Sequence, residues 1–291
     1  MSEPSANEPA GREPILVVRC GLVPYEEARG WQRRLEGERQ RGAVPDVLLL
    51  LEHPPVYTRG RRATAAELPM GVEWYEAQGI EVRDTDRGGR VTYHGPGQLV
   101  AYPIVSLRPY GDDVHAYVRG LERVMIESLA ADGVAAGLVE GETGVWVPAP
   151  QAGGGLEGAP PSPGRKIGSI GVHVSRGVTT HGLAINVNND LQPFEWVVPC
   201  GIEGCQVTSL SRELGAEQNL GAFAATLAAR FGAVFEREPV ETDPADVLGG
   251  SGEGSLSQQR GGSFDPSPDP PTGCRDDQRA GSADTVASLG P

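Results

Sequence analysis

Two residues of this chain combine a type and a setting suited to covalent chemistry. Lys166 is the single lysine among 25 lysines and arginines, and it stands in GRKIGSIG, where small neighbours leave its amine room to reach across. Arginine keeps its proton at neutral pH, whereas a desolvated lysine can release one. In a chain that draws nearly all of its positive charge from arginine, a retained lysine points to proton transfer. Cys200 sits in VPCG, where Pro199 and Gly201 place a thiol on a turn between apolar segments. A thiolate there is open to an electrophile, yet a free cysteine is by default a small buried hydrophobe. Type and spacing leave both readings open for Cys200, as chance survival in a biased composition does for Lys166.

Around these two lie further candidates. Residues 87–103 read RGGRVTYHGPGQLVAYP and gather glycines and prolines about Thr92, Tyr93 and His94. Glycine lets a backbone approach a ligand closely and can aim amides at an anion or a developing oxyanion. The segment is neither a Walker loop nor a dinucleotide fingerprint. His94 and His181, the latter in THGLAINVNND, both lie in Gly-flanked turns, and a positioning role is expected of them. His53 and His115 read as ordinary surface or loop residues and His173 as a strand residue, none with an assigned function. Cys200 and Cys205 form a C-x4-C pair near His173 and His181, but structural zinc sites use tighter paired spacings, so no metal is expected. The four cysteines show no disulfide framework, and reduced thiols are expected.

The elements that must position these residues follow from hydrophobic period. Residues 14–18 (PILVV) and 46–51 (DVLLLL) read as buried strands, with a helix between them over 25–41. Pro54 and Pro55 end the second strand, and a loop through Thr64 is expected. A strand, LVAYPIVSL, follows the Gly-rich turn. Residues 112–132 carry Val118, Leu121, Val124, Met125 and Leu129 at helical spacing. GVWVP at 144–148 is a short strand, and 149–164 is a Gly and Pro stretch without period, read as a flexible surface insertion. Residues 167–174 and 178–187 alternate as a hairpin, and 210–214 and 220–231 read as helices. Mixed strands and helices with hairpins predict an α+β fold, a central mixed or antiparallel sheet with flanking helices.

Length overstates the folded part. Residues 1–12 are polar, with no apolar run suited to a signal peptide or membrane span, so a disordered N-terminus and a cytoplasmic setting are expected. From Pro239 to the end the sequence turns to Gly, Ser, Asp, Pro and Gln, which reads as a disordered acidic tail; the folded domain is expected over 13–238. A net charge of -14 disfavours nucleic acid and anionic membrane as partners. Arg59, Arg61, Arg62, Arg83, Arg87 and Arg90 nevertheless concentrate positive charge, as a local patch or as solvated loop residues.

Four blocks together resemble the octanoyl-carrier-protein to protein octanoyltransferase family, the lipoyl(octanoyl) transferases: EHPPVYTRG at 52–60 with RGGRVTYHGPGQL at 87–99, the lysine segment, HGLAINV and PCG. The resemblance covers about Pro14 to Glu238. It implies a fold like the catalytic domains of lipoate and biotin protein ligases and no cofactor. It also implies an acyl-thioester cysteine at Cys200 and an activating lysine at Lys166. Substrate-binding positions then fall on Arg87, Gly88, Gly89, Arg90, Val91, Thr92, Tyr93 and His94, on Ser169, Ile170 and Gly171, and on Gly182, Leu183 and Ala184. The implied donor is octanoyl-acyl carrier protein. The implied acceptors are lipoyl domains of 2-oxoacid dehydrogenases and the glycine-cleavage H protein. The insertion before Lys166 and the acidic tail depart from the family pattern without touching a motif.

That assignment makes chemical sense. A cysteine thiol titrates near 8.5 and is mostly protonated at neutral pH. An ammonium about 4 Å away stabilises the thiolate by about 4 kcal/mol at an effective dielectric near 20, before desolvation is subtracted. A neutral Lys166 can then take the proton of an attacking amine. An ATP-dependent lipoate or biotin protein ligase shares the implied fold without needing the cysteine, and an inert lipoyl-binding scaffold predicts binding without a thioester.

Overall fold

The computed structural model describes residues 12–149, 164–197 and 206–249. Cys200, Cys205, Cys274, most of the expected insertion and most of the expected tail lie outside them. The chain runs β1 (Glu13–Leu22), α1 (Tyr25–Gln40), β2 (Asp46–Glu52), β3 (Val56–Arg59), α2 (Val72–Ala77), β4 (Glu81–Asp84), β5 (Val91–His94), β6 (Gln98–Ile104) and α3 (Val114–Ala131). It continues through β7 (Gly137–Val139), β8 (Glu142–Val147), β9 (Arg165–Ser175), β10 (Val178–Asn186), α4 (Gln192–Glu195), β11 (Gln206–Val207), α5 (Leu210–Leu214), α6 (Leu220–Val234), β12 (Arg237–Thr242) and α7 (Pro244–Leu248).

The main sheet has the order β12-β1-β2-β6-β10-β9-β8-β7, with β11 joined to β9. Pairs β1–β12 and β1–β2 are parallel, and β2–β6, β6–β10, β10–β9 and β9–β8 are antiparallel. This is the expected α+β architecture with a mixed sheet. Its strands are apolar on both faces because both are covered. Val47, Leu49 and Leu51 of β2 join Ala28 and Leu35 of α1 in one core, while Leu48 and Leu50 join Leu121, Met125, Leu227 and Phe231 of α3 and α6 in the other. An uninterrupted apolar run with a period-2 split between two cores is what a doubly covered strand requires.

Two expectations need correction. The segment after Pro55 is a strand, β3, rather than a loop: it pairs with β4 and β5 in a separate three-stranded sheet. Tyr57, Tyr75, Tyr93 and Phe194 fill the core beside that sheet. The four residues of VYTR are too few to display a period. The polar stretch from Pro239 also begins inside an element, since Pro239 and Val240 pair with Ile15 and Leu16 through β12. An edge strand needs backbone partners and tolerates proline and charge on its open side, so its composition resembles that of a tail. Asp243 then caps α7 by accepting from the Ala245 amide at 2.8 Å, with Pro244 in the first turn.

One buried carboxylate ties the edge of the sheet together. Asp46, 3% exposed, accepts from Arg39 Nε at 2.7 Å, from the Ser106 amide at 3.0 Å and from Arg237 Nε at 3.0 Å. It thereby joins α1, the exit of β6 and the start of β12. Removing it leaves the buried Arg237 guanidinium without its main counter-charge, a loss that costs about 3–5 kcal/mol in such settings. Asp46→Ala is therefore expected to lower the unfolding free energy by that amount, read as a fall in the urea midpoint, and Asp46→Asn by less. Equal midpoints for Asp46→Ala and the parent chain would show that β12 is held by other contacts.

Candidate active site

A cavity of about 750 Å³ opens between the segment 87–94, strands β9 and β10, and the first half of α3. It has the size of a small-molecule site.

Lys166 forms one wall. Strand β9 places it between β8 and β11, and the register shifts from Val145↔Gly168 to Trp146↔Lys166. That two-against-one step is a bulge at Ile167, a device that re-aims a neighbouring side chain. The Lys166 amine donates to the Thr143 carbonyl at 3.1 Å and stands 5.2 Å from the centroid of the Trp146 ring. Gly144 makes the lane: its φ is +113°, and a Cβ there would lie 2.5 Å from Gly168 O and 3.0 Å from Lys166 Cε.

The opposite wall is the turn around Arg87. Its guanidinium, 8% exposed, donates from Nε to Thr58 Oγ1 at 3.1 Å, from Nη2 to Thr58 O at 2.7 Å and from Nη1 to Gly88 O at 2.9 Å. The Gly88 amide donates to Val172 O at 2.9 Å, docking the turn on β9. The contact is close enough that a Cβ on Gly171 would sit 3.0 Å from both Arg87 Cδ and Gly88 O.

Buried polar groups complete the site. Tyr25 donates to Thr85 Oγ1 at 2.9 Å, and His181 Nε2 lies 2.9 Å from Asp86 Oδ1. His181 has φ +57° within β10, a conformation strained for a non-glycine residue. Its amide is held at 2.7 Å by Gln32 Oε1. His53 Nδ1 lies 2.7 Å from Val23 O, a pure acceptor, so Nδ1 carries the proton and Nε2 accepts from Tyr102 OH at 2.8 Å. His94 Nδ1 bonds Gln98 Oε1 at 2.7 Å, and Gln98 in turn donates to Asn186 Oδ1 at 2.9 Å.

Burial sets the protonation of these groups. It lowers His53 to about 4, and lowers His94 to about 3 with a further push from His53. Burial also lowers His181, while the hydrogen bond from His181 holds the Asp86 carboxyl well below the usual carboxylate range. The imidazoles are neutral at pH 7 and position rather than exchange protons.

Of the sequence-derived site residues, those at 87–92, His94, Lys166, those at 169–171, His181 and those at 182–184 all border this one cavity. Tyr93 does not: its ring packs 5.5 Å from Tyr57 and 5.5 Å from Phe194. Cys200 lies outside the described residues. His53, expected at the surface or in a loop, is fully buried, because both ring nitrogens find internal partners. His173 lies within β9 and His115 in the first turn of α3, where it reaches the cavity. Sequence reasoning missed Tyr25, Tyr102 and the α3 face. The signal for that face was present: His115, Val118, Arg119 and Glu122 stand at helical spacing and all line the cavity. Of the arginine cluster, Arg59 pairs with Asp84, Arg83 with Glu81 and Arg90 with Glu67, and Arg87 is buried. Arg61 and Arg62 are exposed.

The mixed sheet flanked by helices thus brings a lysine and a Gly-rich turn to the border of one cavity. Solved structures share the fold. A putative lipoate protein ligase from T. acidophilum with bound lipoic acid superposes with a TM-score of 0.59 at 15% identity, covering 80% of this chain and 89% of that one. Lipoate-protein ligase A bound with ATP gives 0.59 at 16%, with 80% and 89% covered. The family model described as "Lipoyl protein ligase A/B catalytic domain" matches residues 24–232. The octanoyltransferase of Chloroflexus aurantiacus (strain ATCC 29366 / DSM 635 / J-10-fl) is 47% identical over 226 residues, 77% of this chain and 96% of that protein. That of Roseiflexus sp. (strain RS-1) is 46% identical over 226 residues, with 77% and 89% covered. That of Myxococcus xanthus is 44% identical over 230 residues, 79% of this chain but 62% of that longer protein. The chain belongs to the lipoyl protein ligase A/B catalytic-domain family and is an acyltransferase. Among the described residues no helix is long and apolar enough to cross a membrane.

The neutral histidines give a pH signature. An unfolded His53 titrates near 6.5 and the folded one at about 4, so between these values the unfolded chain binds more protons. The stability present above pH 6.5 is lost as pH falls toward 4, by about 3 kcal/mol for this residue. Melting temperature is expected to fall across that window in the parent chain and less steeply in His53→Gln. An imidazole C2–H signal of His53 titrating near 6.5 would contradict the buried neutral ring.

Proposed function

We propose that this chain transfers an octanoyl group from octanoyl-acyl carrier protein to the acceptor lysine of lipoyl domains, through a thioester on Cys200. The observation that carries the reading is the single cavity onto which the lysine segment, the turn at 87–94 and the β9 and β10 positions converge. The octanoyltransferase relatives support the acyl group. Chain connectivity supports the nucleophile: Cys200 precedes Gln206 by six residues, and Gln206 pairs with Arg165 beside Lys166. An extended chain of that length spans about 20 Å at most.

In the first half-reaction the Cys200 thiolate attacks the donor thioester carbonyl. The bond from carbonyl carbon to carrier sulfur breaks, the Lys166 ammonium gives its proton to that sulfur, and the carrier departs as its thiol, leaving Lys166 neutral for the second half-reaction. The Lys166 ammonium stabilises the thiolate before attack. In the second half-reaction the acceptor amine attacks the Cys200 thioester. Lys166 takes a proton from that amine, the amide forms, and the Cys200 thiolate is released. Arginine at position 166 supplies charge but accepts no proton. The second reading, an ATP-dependent ligase, rests on the fold shared with lipoate-protein ligase A bound with ATP, and predicts octanoate with ATP as the donor.

Intact mass measurement after mixing with octanoyl carrier protein is expected to show one octanoyl adduct, absent in Cys200→Ser. Lys166→Arg is expected to retain adduct formation but to lose at least 100-fold in transfer to a lipoyl domain. An adduct on Cys205, no adduct at all, or product formation from octanoate and ATP would overturn the assignment. A carrier protein that docks through acidic residues needs a positive contact surface, and Arg61 and Arg62 are adjacent exposed members of the arginine cluster. Reversing both to Glu is expected to raise the KM for carrier protein several-fold with kcat little changed; an unchanged KM would remove this docking face.

A further inference from the structure

The α3 face that borders the cavity contains a buried carboxylate for which neither the motifs nor the proposed mechanism has a use. Glu122 is 1% exposed and stands on the helix face that lines the cavity, one turn after Val118. A carboxylate in such surroundings is costly unless both oxygens are bonded. Both are. Oε2 accepts from Arg119 Nη1 at 2.8 Å, and Oε1 accepts from the Gly144 amide at 3.2 Å.

The second bond leads to the site. Gly144 follows Thr143, whose carbonyl accepts from the Lys166 amine at 3.1 Å. Gly144 itself lies so close to Lys166 that a Cβ there would stand 3.0 Å from Lys166 Cε and 3.4 Å from Nζ. Its φ of +113° is one that glycine adopts without strain, so the backbone conformation by itself does not fix where this peptide points. The β8–β9 ladder begins only at Val145↔Gly168, and β7 pairs with β8 at Glu142 and Trp146 across a register shift, so Thr143 and Gly144 are register partners in neither ladder. Glu122 and the Lys166 amine therefore hold opposite ends of one peptide unit, the carboxylate through its N–H and the ammonium through its C=O.

We propose that Glu122 is a positioning residue that fixes the Thr143–Gly144 peptide and, through it, the Lys166 amine. The role is carried by the hydrogen bond to the amide, which a neutral acceptor of the same shape reproduces. The catalytic readout rests on the function proposed above for Lys166, whereas a spectroscopic one does not. Because Lys166 is the chain's single lysine, ¹³Cε-lysine labelling yields one side-chain signal that reports its order directly.

The experiment compares the parent chain with Glu122→Gln and Glu122→Ala. In the parent chain and Glu122→Gln, the lysine Cε signal is expected to show the relaxation of an ordered side chain, with transfer within about threefold of the parent rate. In Glu122→Ala the signal is expected to narrow to that of a mobile lysine. The kcat for lipoyl-domain transfer is expected to drop at least 30-fold with little change in KM for the carrier. If Glu122→Ala does not fold, Glu122→Leu, which keeps bulk and removes the acceptor, takes its place with the same expectation. An ordered lysine signal in Glu122→Ala or Glu122→Leu, or an equal loss in Glu122→Gln, would overturn the proposal. A mobile lysine with unchanged transfer would uphold the positioning and refute the role assigned to Lys166.

Discussion

The architecture around the cavity depends on one buried cation, the Arg87 guanidinium. It donates both to the carbonyl and to the hydroxyl of Thr58 in β3, while the glycine after it is hydrogen-bonded to β9 of the main sheet. The small sheet and the main sheet are thus joined across a turn that neither could hold alone. A buried guanidinium is tolerated because its donors are matched by fixed oxygens, and its planar fork sets the angle at which the turn meets the strand. The backbone of 60–62 clasps the same turn, with the Gly60, Arg61 and Arg62 amides donating to the carbonyls of Arg90, Arg87 and Gly89.

Two ends of differing electrostatic character result. At the Lys166 end a cation is set against a carbonyl and an aromatic face, beside a bulge that breaks the regular ladder. At the far end of β9, where Val172 pairs with His181, the polar groups are satisfied among themselves. His53 is bonded to Tyr102, His94 to Gln98, and His181 to Asp86. Their rings are kept neutral by burial, so the histidines contribute shape and hydrogen bonding, while Lys166 and the Arg87 guanidinium supply positive charge at the cavity.

Much of the fold was legible because strands covered on both faces and amphipathic helices carry their burial in their residue pattern. DVLLLL, the helix from Tyr25 and the apolar stripe of α3 at Leu121, Val124, Met125 and Leu129 are local facts that the tertiary structure bears out, while Val118 of the same stripe lines the cavity. The failures share a cause. Strand β3 is too short to show a period, and edge strand β12 exposes most of its side chains, so its stability comes from backbone pairing with β1 and from the Arg237–Asp46 contact. Neither partner is adjacent in sequence, and composition is silent about both.

For the site, the chain by itself determined which residue types were available: one lysine, a Gly-rich turn that permits close backbone approach, and histidines flanked by glycine. Those are properties of single residues and their immediate neighbours. Tertiary structure decided everything that depends on distance. It set Tyr93 into an aromatic core while its neighbours face the cavity, buried His53 by supplying partners for both nitrogens, and divided the arginine cluster into paired, buried and exposed members. It also turned Glu122, which on a helix reads as one more surface charge, into a buried anchor beside Lys166. The reason is physical: hydrogen bonds and desolvation act through space over a few ångströms, and residues 122, 144 and 166 reach that range only once β8, β9 and α3 have packed.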